Sequence, residues 1–223
     1  MPELSTRFYF SSTTAAAVAP ANDSWNATAG AAAAREMNRK KTASAMATIS
    51  ANGTGTIGQT SLLRQYVSEP LPHAMTITGM MHGIIRTIES AANGNNTLAF
   101  SLRACSGDGA TIRTPALLAI SASDSTVDPY EMGRTTATAT AFYDSAENCY
   151  HTLTSCAISA GDRLVFELGF RAGSTTTTRT GGIVCGDDSA TDLPFTSINT
   201  NTDNPWVEFT ADLFVKPGEA YFG

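Results

Sequence analysis

Apolar side chains occupy every second position of residues 163–170, and the same alternation returns in residues 206–215. A period of two is typical of a β-strand that buries one face and leaves the other to solvent or to a second surface. Two such strands late in the chain predict an antiparallel sheet with one wet face. The apolar positions of the first strand are Leu164, Phe166, Leu168 and Phe170.

Similar but shorter runs occur along the rest of the chain, separated by turns rich in glycine, proline and asparagine. Residues 93–96 (Asn-Gly-Asn-Asn) form a strong turn signal, so we predict that residues 74–88 and 97–105 pair as a hairpin. The pattern as a whole predicts about ten strands in an all-β antiparallel sandwich. Further predicted strands cover residues 4–10, 44–49, 62–67, 111–121, 134–142, 152–158 and 183–185.

We expect residues 1–223 to form a single domain, because no linker or internal repeat divides the sequence. Residues 1–30 are predicted to form a first strand followed by an arm, and residues 216–223 a C-terminal arm. Helix competes with strand only in the alanine-rich residues 31–41, where we predict a helical turn at most.

The composition of the chain argues against some classes of function. Charged residues make up 15% of the chain, against about 25% in a typical globular domain. The formal net charge of −6 argues against binding to nucleic acid or to an anionic membrane surface. We find neither an apolar run of membrane-spanning length nor a secretory signal, and expect a soluble protein made in a cytoplasm. The four scattered cysteines are predicted to be ordinary thiols.

Motifs for catalysis and cofactor binding are missing from the sequence. The three histidines lie outside HExxH or nucleophile motifs, and the glycine-rich residues 51–60 do not match a phosphate-binding loop. We therefore predict no enzymatic activity, no catalytic residue and no cofactor.

Residues 187–192 hold three carboxylates that are weak candidates for calcium binding: Asp187, Asp188 and Asp192. Their spacing does not match an EF-hand loop, and aspartate also favours turns through its own hydrogen bonds. Both interpretations stay open from the sequence.

Two further groups of residues are candidates for contacts with other molecules. A dense basic cluster is either a solvated edge or a docking site for an acidic neighbouring subunit, and an aromatic pair in the C-terminal arm would dock on a neighbour. Tryptophan and tyrosine side chains in loops either anchor the loop or stack on a ligand. The interface candidates are Arg35, Arg39, Lys40, Lys41, Tyr221 and Phe222, and the stacking candidates are Trp25 and Tyr130, with Tyr143 and Tyr150.

Five segments together resemble a group of generally uncharacterised proteins encoded among the virion structural genes of tailed bacteriophages. The resemblance spans most of the chain, but its motifs are strand and turn patterns and transfer no active-site residue. The segments are residues 7–12 (RFYFSS), 63–68 (LRQYVS), 102–109 (LRACSGDG), 160–169 (AGDRLVFELG) and 204–209 (NPWVEF).

The resemblance implies a virion structural protein with a jelly-roll-like sandwich. We expect it on the exterior of the particle, as a capsid decoration or a tail or baseplate component assembled in the host cytoplasm. Its expected partners are copies of itself and other virion structural proteins, because long polar loops and terminal arms suit a subunit that packs against others. The alternative from another class is a carbohydrate- or receptor-binding module that recognises a bacterial surface.

Overall fold

The structure is a computed structural model that describes residues 5–29, 33–91, 93–120, 132–133, 137–142, 150–175, 179–194 and 202–215. All the elements with defined bounds are β-strands, which confirms the predicted all-β class. They are β1 (Thr6–Ala15), β2 (Ala27–Thr28), β3 (Arg35–Asn38), β4 (Ala47–Asn52), β5 (Thr60–Ser68), β6 (Met75–Ile77), β7 (Met80–Glu89), β8 (Thr97–Cys105), β9 (Thr138–Phe142), β10 (His151–Thr152), β11 (Cys156–Ile158), β12 (Arg163–Arg171), β13 (Thr180–Cys185) and β14 (Trp206–Phe209).

Twelve strands form one continuous sheet, with the order β4-β13-β7-β14-β1-β3-β5-β12-β8 along its main path. β2 pairs with β5, while β9 and β10 pair with β7. Every pairing is antiparallel except those of β2 and β3 with β5. The described strands outnumber the ten that the sequence predicts, because several of them are only two to four residues long.

The sheet folds over at β1, so that its two halves face each other across one core. The first half of β1 pairs with β14, and its second half pairs with β3 after an irregular stretch between Phe10 and Ala15. Phe10 stacks on Phe166 of β12, with ring centroids 5.6 Å apart. Side chains from both halves therefore belong to one buried cluster, as a sandwich requires.

The apolar face predicted for β12 is confirmed, and of the two alternatives for its opposite face, solvent or a second surface, the structure has the second surface. Leu164, Phe166, Leu168 and Phe170 are fully buried in the core. Glu167 on the opposite face is also 0% exposed. Residues 16–29, the arm segment, lie across that face and exclude solvent from it.

The hairpin predicted around residues 93–96 does not form. The turn itself is present, with Asn95 in the left-handed region at φ 48°. However, β7 pairs with β13, β14, β9 and β10, whereas β8 pairs with β12. The chain crosses from one half of the sandwich to the other at this turn.

Three predicted elements have other structures. Arg35–Asn38, within the stretch expected to contain a helical turn, is strand β3. Residues 111–120 contribute only isolated bridges to β8 instead of a strand. β14 ends at Phe209, and the carboxylate of Asp212 accepts hydrogen bonds from the amides of Phe214 and Val215 in a turn.

Among the described residues there is no helix that could cross a membrane.

Candidate functional site

A buried carboxylate on the outer face of β12 is the best-connected charged group in the described part of the chain. Glu167 pairs with Arg103 of β8, with Oε1 3.0 Å from Nη2. Buried charges are tolerated when they are paired and hydrogen-bonded. Its donors are the Asp23 amide (3.1 Å), Trp25 Nε1 (2.8 Å), Gln65 Nε2 (2.9 Å), Ser101 Oγ (3.3 Å) and Arg103 Nη2 (3.0 Å).

These bonds attach the arm segment to the sheet. Arg103 also donates to the carbonyl of Ala21, and Gln65 donates to the carbonyl of Pro20. The Trp25 ring lies on Gly169, where any side chain would overlap both the indole and the carbonyl of Ser61. Glycine in a strand often marks such a close approach.

Trp25 therefore makes the contacts expected of an anchor that holds the arm segment. Its indole N–H binds Glu167 and its ring covers Gly169. A role of Trp25 in stacking on a ligand stays a prediction. Tyr130 and Tyr143, two other stacking candidates, lie outside the described residues.

The three carboxylates of residues 187–192 are not brought together. Asp187 is buried and binds the amide and hydroxyl of Ser44, both at 2.7 Å, as well as Thr42. Asp192 binds Tyr9 Oη at 2.9 Å and Lys41 Nζ at 2.9 Å, whereas Asp188 is exposed. Within the described residues, no group of three His, Cys, Asp or Glu side chains could hold a metal ion.

The members of the basic cluster have separate surroundings. Arg39 pairs with Glu69 at 2.7 Å, and its guanidinium lies 3.5 Å from the centroid of the Phe214 ring. Lys41 pairs with Asp192, and Lys40 is exposed beside a surface depression of about 330 Å³. Arg35 lies apart, on β3. Docking through this cluster is untested, and the candidates Tyr221 and Phe222 lie outside the described residues.

A second polar cavity, of about 240 Å³, lies where β1, β7 and β14 meet. Glu208 accepts hydrogen bonds from Ser5 Oγ (2.7 Å) and Arg7 Nη2 (3.2 Å), and His82 Nε2 lies 3.2 Å from it. Tyr150, a stacking candidate, lies on the His82 ring at 4.3 Å. The cavity could accommodate a small polar ligand against the Tyr150 ring.

Burial and hydrogen bonding together set the pKa values of Glu208 and His82 in this cavity. Burial acts to raise the pKa of Glu208, but hydrogen bonds from Ser5 and Arg7 outweigh it and the pKa is lowered. Burial lowers the pKa of His82, against the opposing effect of Glu208. Serine and histidine both contact the carboxylate here, whereas a nucleophilic triad needs the serine on the histidine. The arrangement is therefore not that of a Ser-His-acid triad.

Another ion pair fixes the turn before β12. Asp162 accepts two hydrogen bonds from Arg113, at 2.7 and 2.8 Å, and one from the amide of Ser159 at 2.8 Å. Burial acts to raise the pKa of Asp162, but these bonds outweigh it and the pKa lies below its ordinary value. Sequence reasoning missed this pair because Arg113 is distant in the chain; the only local signal is an aspartate after a turn glycine.

The described cysteines Cys105, Cys156 and Cys185 are free and buried. Burial raises the pKa of Cys105 to about 11 and that of Cys156 in the same direction. A raised pKa suppresses the nucleophilic thiolate. The fourth cysteine, Cys149, lies outside the described residues.

No protein-family model matches the sequence, and no curated protein matches it. Among solved structures, the chain is similar to a CocE/NonD family hydrolase from Staphylococcus aureus, with 9% identity, TM-score 0.46, and 92% of this chain and 36% of that chain covered. An α-amino acid ester hydrolase has 8% identity and TM-score 0.44, with 91% and 35% covered.

An aminopeptidase from the marine sediment archaeon Thaumarchaeota archaeon has 8% identity and TM-score 0.36, with 93% of this chain and 37% of that chain covered. The chain thus spans little more than a third of the length of these enzymes. At such identities and TM-scores the similarity carries no argument about function.

Proposed function

We propose that this chain is a non-enzymatic structural protein on the exterior of a tailed-bacteriophage virion, where it acts by packing against other subunits. The observation that carries the proposal is the contrast between the two ends of the sheet path. One end is covered by the chain itself, whereas the other pairs with a single strand among the described residues.

The covered end is β8. Leu102 of β8 exchanges two backbone hydrogen bonds with Leu118, each of 2.9 Å, and Ala104 accepts one from Arg113. Residues 112–118 thus occupy the outer side of the strand. Covering an edge strand is a common protection against pairing with another chain.

The open end is β4. Among the described strands it pairs only with β13, along all six of its residues. Its sequence, Ala-Thr-Ile-Ser-Ala-Asn, has neither the charge nor the proline that usually protects an exposed edge. Thr48 and Ser50 are exposed. Such an edge can add a strand from a neighbouring subunit through backbone hydrogen bonds.

This proposal assigns the protein to the virion, with copies of itself and other virion structural proteins as partners. Capsid decoration and a place in the tail or baseplate are two forms of it. The resemblance of the strand and turn motifs to phage virion proteins supports the proposal from the sequence side.

The direct test is to purify particles from a culture whose phage encodes this chain and to search them by quantitative mass spectrometry. We expect the polypeptide at a fixed number of copies per particle, with antibody labelling on the outer surface. Particles that lack the polypeptide after washing would contradict the proposal.

A second candidate function is recognition of a bacterial surface glycan, favoured by the cavity at Tyr150, His82 and Glu208. An aromatic ring beside an ionised carboxylate is suited to sugar rings and hydroxyl groups. A glycan screen of the wild type and Tyr150→Ala, with and without calcium, tests it. Binding that Tyr150→Ala removes would support this function, and the absence of any binding would eliminate it.

A further inference from the structure

Two arginines on neighbouring strands have no acidic partner in the part of the chain that the structure describes. Arg64 of β5 is 6% exposed, and Arg35 of β3 is half-buried. Neither forms a salt bridge among the described residues, whereas Arg7, Arg103 and Arg113 each pair with a carboxylate. A buried guanidinium without a counter-charge is costly.

The strand register places these two arginines together. Arg35 is the partner of Tyr66 in the parallel pairing of β3 with β5, and Arg64 lies two residues before Tyr66 on the same face. Their Nε atoms are buried and have no hydrogen-bond partner among the described groups. Their described hydrogen bonds are long, from Arg64 Nη1 to the carbonyl of Ser12 (3.4 Å) and from Arg35 Nη1 to that of Ala34 (3.5 Å).

Tyr66 adds a third donor to the same place. Its side chain is 0% exposed, and its hydroxyl has no oxygen or nitrogen acceptor among the described residues. The polar group that interacts with it from the opposite half of the sandwich is the thiol of Cys185, which is only a weak acceptor. Burial raises the pKa of this phenol and of this thiol, and the charges of both arginines oppose that rise.

Guanidinium groups only donate hydrogen bonds, and a tyrosine hydroxyl can donate one as well. Donors gathered in one buried region are best satisfied by a ligand that offers several acceptor oxygens and negative charge. We propose that Arg35, Arg64 and Tyr66 form a binding site for a small tetrahedral oxyanion of the phosphate or sulfate type. The half-buried Arg35 provides the side from which the anion enters.

This inference goes beyond the proposed function, because the site belongs to the folded subunit whether or not the subunit is part of a virion. An anion bound by Arg35 of β3 and Arg64 of β5 would stabilise the strands that lie beside β1, where the sheet folds over. The two proposals are tested separately, since one needs particles and the other needs only the isolated chain.

The test is thermal unfolding of the full chain in sodium phosphate and in sodium chloride at matched ionic strength, with sodium sulfate as a second oxyanion. We expect the Tm to rise with the logarithm of phosphate concentration, by about 5 °C or more at 100 times the Kd. Isothermal titration with inorganic phosphate should show one site per chain.

Arg64→Met should abolish the response to phosphate, and Arg39→Met, which removes an arginine that already pairs with Glu69, should leave it intact. In chloride alone, Arg64→Met should be at least as stable as the wild type, because it removes an uncompensated buried charge. If that variant does not fold, Arg35→Gln and Tyr66→Phe should each weaken phosphate binding. Equal Tm shifts in wild type and Arg64→Met, or no difference between phosphate and chloride, would overturn the site.

Discussion

Glu167 shows how a charged residue on the outer face of a strand can connect two parts of the chain. The alternation of β12 puts it opposite the core, where the sequence allows either solvent or a second surface. In the structure it is 0% exposed and binds the arm segment through Asp23 and Trp25. At this position the charge fastens one part of the chain to another.

Replacing Glu167 with glutamine should destabilise the protein by about 3 kcal/mol, because it leaves Arg103 buried without its closest counter-charge. Urea unfolding of wild type and variant at pH 7 measures this difference. Trp25 fluorescence should shift as the arm segment loosens. Glu69→Gln is the matched control, since its pair with Arg39 lies at the surface and contributes at most about 1 kcal/mol. Equal effects of the two substitutions would contradict the role of Glu167.

At the scale of elements, the turn that leads into β12 depends on one ion pair. Asp162 binds Arg113 with two hydrogen bonds and the amide of Ser159 with a third. Its pKa is lower in the folded protein than in an unfolded chain. Such a carboxylate stabilises the fold above its unfolded pKa, and the stabilisation is lost as the pH falls through the folded pKa.

The free energy of unfolding should therefore fall as the pH is lowered below about 4, where an unfolded aspartate becomes protonated. Asp162→Asn should be less stable than the wild type at pH 7, and the difference should shrink towards pH 3. Urea unfolding at both pH values tests this. Arg113→Gln should produce a similar loss at pH 7, and the double variant should lose less than the sum of the two. A difference that does not change with pH would count against the ion pair.

The open edge of β4 should determine whether two copies of the protein associate. We expect the mass of the recombinant protein, measured by light scattering, to rise with concentration as subunits pair along this edge. Lysine at exposed edge positions blocks pairing by charge repulsion. The variant Thr48→Lys/Ser50→Lys should therefore remain at the mass of one chain with an unchanged Tm.

Thr76→Lys, at an exposed position of β6, is the control and should associate like the wild type. If the wild type keeps the mass of one chain at every concentration, self-pairing through β4 is wrong. If both variants associate equally, another surface is responsible.

At the scale of the whole molecule, the all-β class and the inner faces of the best strands were predictable from sequence. The bounds of β8, Thr97–Cys105, match the predicted strand, and the inward positions of β12 are those with apolar side chains. The alternation of apolar and polar residues depends only on which face of a strand is buried. It therefore predicts that face even when the partner strand is unknown.

Only the tertiary structure decides which strands pair and whether the outer face of a strand is buried. β7 and β8 are joined by a short turn but do not pair, because both sides of β7 are occupied by strands from later in the chain. The face of β12 around Glu167 is buried by residues 16–29, more than 130 positions earlier. The placement of Arg35 beside Tyr66 likewise depends on the register of β3 and β5. Such contacts join distant segments, and a pattern read over a few neighbouring residues contains no information about them.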